Sequence, residues 1–169
     1  MKIENLRDLF EVELRYAYDC EQKLVKKGLP SMIDGATSPE LRNALQQHLQ
    51  ETQSHVSRLE QVFSICGLEA DTEDNDIFDE MADATKGVIG DIDASPLRDA
   101  ALIVSGNKVE HYEMAVYGSL VSFARQLGFQ QAATLLQQTL QEEKAADAKL
   151  TQIGETAINP RASLERRAA

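Results

Sequence analysis

The sequence predicts an all-α protein: an antiparallel four-helix bundle made of two helical hairpins, joined by a long crossover that contains a short extra helix. Apolar residues recur three or four positions apart along four long segments, the period of a helix with one buried face. Glycine, proline and Ser-Pro signals interrupt those segments at regular places. Two glutamate pairs also share one spacing: Glu21 and Glu51 lie 30 residues apart, as do Glu113 and Glu143, and the midpoints Ala36 and Gly128 both fall at helix-break signals. A chain that folds back at each midpoint sets each glutamate level with its partner, so four carboxylates converge at one height.

The first helix is expected from about Ile3 to Lys27, carried by Leu6, Phe10, Leu14, Ala17 and Leu24. Gly28 and Pro30 weaken it, and a further turn through Met32 and Ile33 precedes the break at Asp34-Gly35. Ser38-Pro39-Glu40 starts the second helix, with serine as cap, proline at the first helical position and an acid in the first turn. That helix runs to about Cys66, where Gly67 stops it. Residues 68–95 form the only long connection, acidic at its start, with a short amphipathic helix over about Ile77–Ile89. Ser95-Pro96 repeats the start signal, so the third helix spans about Pro96 to Gly128 and the fourth about Phe129 to Ile153. This order of two tight hairpins and one crossover is a ferritin-like topology. The bundle is expected over residues 1–154, with a flexible tail over 155–169 that contains Asn159-Pro160-Arg161 and Arg166-Arg167.

Composition narrows the function. A chain of 169 residues is about one domain, and 43% apolar residues with only 5% aromatic suit a bundle of Leu, Ala and Val. A net charge of −11 argues against nucleic-acid binding, which needs clustered Lys and Arg. The opening MKIENLRDLF has no apolar signal region, and no apolar run of about 18 residues follows, so a soluble, cytoplasmic protein without membrane contact is expected. Cys20 and Cys66, the only cysteines, lie at different heights in the hairpin and are read as small core residues, not a disulfide. There is no phosphate loop, nucleophile elbow or Cys-x-x-Cys pair.

The buried faces carry the chemistry. The stripe of the first helix passes through Glu21, and that of the second is interrupted at mid-length by His48, Glu51 and His55. Glu110, Glu113 and Tyr117 interrupt the third, and Glu143 and Asp147 the fourth. An unpaired buried carboxylate costs several kcal/mol, and several together repel one another, so such a cluster requires positive charge. Two divalent cations supply it, and a histidine nitrogen among oxygen ligands favours iron or manganese over magnesium or calcium. The expected metal ligands are Glu21, Glu51, Glu110, Glu113 and Glu143, joined by Asp147, whose shorter side chain reaches either the metal or only one of its ligands, and by His48 and His55, as two ligands or as one with the other hydrogen-bonded behind the metal. His111 lies off the Glu110 face and is read as a surface or interhelical residue, and Tyr18 and Tyr117 as core aromatics. A bundle whose buried acids are satisfied by Lys, Arg or water is the competing reading.

The segments RYAYDCEQKL, LRNALQQHLQETQSHVSRLEQVF, KVEHYEMAVYGSL and LQEEKAADAKL, from Leu6 to Ile153, resemble the YciE/YciF family of bacterial ferritin-like stress proteins. The resemblance implies a rubrerythrin-like bundle, a homodimer, a di-iron or related dimetal centre and expression linked to stress. By similarity to the rubrerythrin pattern, Glu21, Glu51, Glu110, Glu113 and Glu143 fall on carboxylate positions. The Glu-x-x-His spacing of that pattern is absent: Glu51 and Glu143 are followed by Glu-x-x-x-His and Glu-x-x-x-Asp. The Cys₄ iron domain of full rubrerythrins is also missing, and with it a built-in electron donor. These readings make a non-haem dimetal protein that reacts with peroxide or dioxygen the leading expectation. The alternative is a non-enzymatic structural or binding bundle whose metal is stabilising or absent, and iron storage ranks third.

Overall fold

The computed structural model describes residues 2–164, which form helices and short connections with no strand among them. In chain order the helices are α1 (Leu6–Lys23), α2 (Leu29–Gly35), α3 (Pro39–Ile65), α4 (Asp76–Asp91), α5 (Pro96–Gln126), α6 (Gln130–Ile153) and α7 (Asn159–Ala162). The bundle is built from α1 with α2, α3, α5 and α6, while α4 lies in the crossover.

The start and stop signals act as their chemistry requires. The side chains of Asn5, Ser38 and Ser95 accept from the backbone N–H of Asp8, Leu41 and Arg98, and proline opens α3 and α5. The stops after α3 and α5 are left-handed glycines, Gly67 at φ 68° and Gly128 at φ 83°. Past each, the next amide reaches back to the last turn: Leu68 N–H to Phe63 O at 2.9 Å and Phe129 N–H to Ala124 O at 2.8 Å. The crossover helix starts one residue earlier than expected because Asn75 caps it, accepting from Phe78 N–H at 3.0 Å, and it runs two residues further, to Asp91.

Two expected breaks are continuous helix. Between α1 and α2 the chain passes through a π-helical turn, Leu24–Gly28, in which Leu29 N–H bonds to Leu24 O. A proline lacks the amide that an α-helix needs and crowds the carbonyl four residues back; a wider turn just before Pro30 relieves both conflicts. The same device follows α6. Gly154–Ile158 forms a second π-turn, Asn159 N–H bonds to Gly154 O, and Pro160 then sits in α7. The tail expected to begin at residue 155 is therefore helical as far as Ala162, and Ile158, 1% exposed, packs in the core. Arg166-Arg167 lies outside the described residues.

The core is split into two levels. Phe10, Leu14, Leu59, Val62, Phe63, Leu120 and Leu136 fill one end of the bundle. Leu24, Leu29, Met32, Leu41, Leu45, Leu102 and Ile153 fill the other. Each leucine so buried contributes roughly 2 kcal/mol. Between the two levels lies the polar layer.

Candidate metal centre

Each long helix delivers charge into that layer. On α1, Glu21 follows Ala17 by four residues on the inward face and is fully buried. On α3 the inward stripe runs Leu41, Leu45, His48, Thr52, His55, Leu59 and Val62, so both imidazoles point to the centre. On α5, Glu110 and Glu113 lie between Val109 and Val116, and on α6 Glu143 follows Leu140; all three carboxylates are at most 3% exposed.

The donor atoms converge in two groups that share one residue. His48, Glu110, Glu113 and Glu143 each offer an atom within 4.8 Å of the others, and Glu21, His55 and Glu143 do the same. In the first, His48 Nε2 lies 3.2 Å from Glu110 Oε1 and 3.9 Å from Glu143 Oε2. In the second, His55 Nδ1 lies 2.9 Å from Glu143 Oε1 and 3.3 Å from Glu21 Oε1. Seven buried atoms of these residues have no hydrogen-bond partner: Glu21 Oε2, Glu110 Oε2, Glu113 Oε2, both Glu143 oxygens, His48 Nδ1 and His55 Nδ1. Close approach without hydrogen-bond alignment is the arrangement of atoms aimed at a common point. The donor set of carboxylate oxygens and imidazole nitrogens, tightly buried, fits iron or manganese.

Without a cation, protons neutralise the layer. Burial, joined by the charges of Glu143, Glu21 and Glu110, drives the Glu113 carboxyl well above its usual range. Burial likewise pushes Glu143 up to about 8, against the pull of His55. Burial would lower both imidazoles, but the surrounding carboxylates prevail. Glu110 and Glu51 hold His48 well above its ordinary value, and Glu21 and Glu143 raise His55 to about 10. Tyr117, 1% exposed, donates a hydrogen bond to Glu21 Oε1, and burial beside that carboxylate keeps its phenol protonated. The Cys20 thiol donates to Glu113 Oε1 at 3.7 Å and is also held protonated by burial.

Six of the eight expected ligands are thus brought together: Glu21, His48, His55, Glu110, Glu113 and Glu143. Glu51 and Asp147 stand outside both groups. Thr52 takes the inward position on α3, which turns Glu51, one residue earlier, about 100° around the helix. Its side chain is 36% exposed, with Oε2 3.6 Å from His48 Nδ1 and Oε1 accepting from Gln47 at 3.0 Å. Asp147 faces α5, where its Oδ1 lies 3.2 Å from Nε2 of the exposed His111.

Two contributors escaped the sequence reading. Glu142 lies outside both donor groups, but its Oε2 is hydrogen-bonded to His55 Nε2 at 2.9 Å. Arg58 holds Glu142 through contacts of 2.7 and 3.3 Å and donates to Thr139 at 2.6 Å, and its charge keeps the Glu142 carboxyl below its usual value despite partial burial. Tyr117 is the core aromatic expected, and its hydroxyl also reaches Glu21. An arginine three residues after a histidine and a Glu-Glu doublet are the only signals, and neither distinguishes a buried seam from a solvated face.

The family model described as a domain of unknown function, DUF892, matches residues 5–163. The chain belongs to this family. Protein YciF of Escherichia coli K12 is 35% identical over 163 residues, covering 96% of this chain and 98% of that protein. The crystal structure of the E. coli stress protein YciF superposes with a TM-score of 0.88 at 34% identity, over 93% of this chain and 99% of that one. YcfI from Rhodopseudomonas palustris, named as a candidate structural protein, matches with a TM-score of 0.86 at 37% identity, over 89% and 95% of the two chains. A Xanthomonas campestris protein at 24% identity and TM-score 0.71, over 94% and 97% of the chains, shows the fold alone. The DUF892 chain thus has the YciF-type helical fold expected from its motifs, and none of its described helices is long and apolar enough to cross a membrane.

Proposed function

We propose that this chain is a dimetal carboxylate protein of the stress response, in which iron or manganese reacts with peroxide or dioxygen. The carrying observation is the pair of buried donor groups that meet at Glu143. His48, Glu110 and Glu113 would hold one cation and Glu21 and His55 the other, with Glu143 shared between them. Bound there, the pair would supply two-electron redox chemistry, with electrons from an external reductant. The chain's own residues set the conditions. The apolar levels on either side exclude water, Tyr117 fixes one oxygen of Glu21, and Glu142 fixes the ring of His55. The stress association comes from the name of the E. coli relative.

The test is consumption of hydrogen peroxide by protein verified to carry two iron ions, supplied with a chemical reductant. Turnover above that of free iron is expected, and its absence with every reductant tried would remove the reactivity from the proposal.

One observation favours a second reading, a metal-free or metal-stabilised structural bundle. Protonated His48 and His55 offset part of the carboxylate charge, so the layer can close on protons alone. The description of the R. palustris relative agrees with that reading. A large loss of melting temperature on chelation, with no turnover by the loaded form, would select it.

A further inference from the structure

Resting on the dimetal reading, we propose that divalent cations enter the centre through the α3–α6 seam and that Glu51, with Nδ1 of His48, forms the first binding site on that route. The seam is closed along one half and open along the other. Toward one end of the bundle Arg58, Glu142 and Thr139 bridge α3 to α6, and the surface depression above them reaches none of the clustered carboxylates. Toward the other end, small side chains face each other. There a pocket of about 260 Å³ is walled by Ala44 and Ala146 and reaches His48, Glu51 and Glu110. It shares Ala44, Gln47 and Lys149 with a wider depression of about 670 Å³ that opens toward Arg161.

Two side chains at the inner end of this passage are arranged for transfer. Glu51 is half-buried, and its carboxylate stands at the inner end of the pocket, 3.6 Å from Nδ1 of His48, so it presents a negative charge to the opening. His48 is 7% exposed and turns its two nitrogens in opposite directions. Nε2 faces Glu110 inside the centre, whereas Nδ1 lies 3.6 Å from Glu51 and has no hydrogen-bond partner. An unpartnered ring nitrogen beside an accessible carboxylate is a two-ligand cation site, too sparse to retain an ion and adjacent to one that can. A swing of Glu51 away from Gln47 would then bring the cation to the carboxylates within. Charge around the outer rim is mixed, with Glu40 set against Lys149 and Arg161, so the aperture itself and not a funnel of acid defines the route.

Cobalt(II), whose visible absorption reports its ligands, is the probe. Metal-free full-length protein and its Glu51→Gln and Ala146→Phe variants are mixed with it in a stopped-flow instrument, and bound cobalt is also measured at equilibrium. Both variants should bind as many ions as the parent chain but take them up at least about tenfold more slowly, the usual scale for losing one partner of a metal site. Uptake at the parent rate by Glu51→Gln overturns the proposal, as does loss of a full equivalent of cobalt, which would make Glu51 a ligand of the pair. Glu51→Gln alters one half-exposed side chain and decides the matter even if Ala146→Phe fails to fold. Failure of the dimetal reading is seen separately, as a parent chain that binds no cobalt at any time.

Discussion

His55 illustrates how a single ring is committed to two tasks. Its Nδ1 faces Glu143 and Glu21 while Nε2 meets Glu142, which Arg58 holds in turn. A histidine fixed by a carboxylate on its far nitrogen is oriented for a metal and made a better donor. Glu142→Gln is therefore expected to weaken cation binding by about 10- to 100-fold while leaving the helix content unchanged, measured by competition against a chelating dye. Unchanged affinity would show that His55 needs no such support. At this scale the sequence was partly readable. The glutamate spacing located the layer and three of its four carboxylates, because hairpins at Ala36–Ser38 and Gly128 set Glu21, Glu113 and Glu143 at one height. Glu51 has the same spacing but not the same direction, since the periodicity of α3 is satisfied by Thr52, and spacing along a helix fixes height and not rotation.

Among elements, the α2–α3 turn depends on one buried acid from α5. Asp99, 1% exposed, accepts from Thr37 N–H at 2.7 Å and Ser38 N–H at 2.9 Å and also takes the Thr37 hydroxyl. Removing it leaves buried donors unpaired. Asp99→Ala should cost about 3 kcal/mol and lower the melting temperature by about 10 °C in a domain of this size, while Asp99→Asn recovers part of it. A thermal scan showing a change within experimental scatter would mean that water replaces the carboxylate. Nothing in the local pattern marks Asp99, which reads as an ordinary first-turn acid of α5. Starts and stops were legible because serine caps, prolines and left-handed glycines act locally. The passages through Pro30 and Pro160 were not, because π-turns let a helix run on where the local rule predicts an end, and what rewards continuation is distant: Leu29, Met32 and Ile158 reach the far core level.

For the whole molecule, the consequence is a polar layer clamped between two apolar ones, whose charge must be balanced by protons or by metal. In the metal-free protein Glu143 and His55, which contact each other, act in one direction. Glu143 rises from 4.5 to about 8, so the folded state holds a proton that the unfolded chain releases, and stability falls as pH rises across that interval. His55 rises from 6.5 to about 10, so its contribution is complete below 6.5 and is lost as pH climbs through 10. The two contact each other and titrate as a pair, so one combined decline is expected. The melting temperature of the metal-free protein should therefore drop steadily between about pH 5 and 9. Cations require the deprotonated ligands, so the loaded protein should lose little over the same range. The gap between the two forms should then widen with pH, reaching about 10 °C when free metal exceeds its dissociation constant a thousandfold. Parallel profiles would mean that metal does not replace these protons.

The most direct test is elemental analysis of full-length protein purified without chelator and reconstituted anaerobically with iron or manganese, beside Glu143→Ala. Because both donor groups include Glu143, the parent chain should hold about two ions and the variant fewer than about one, with both keeping the helical spectrum. A folded parent chain that retains no metal after reconstitution, or a variant that retains as much as the parent, would contradict the account.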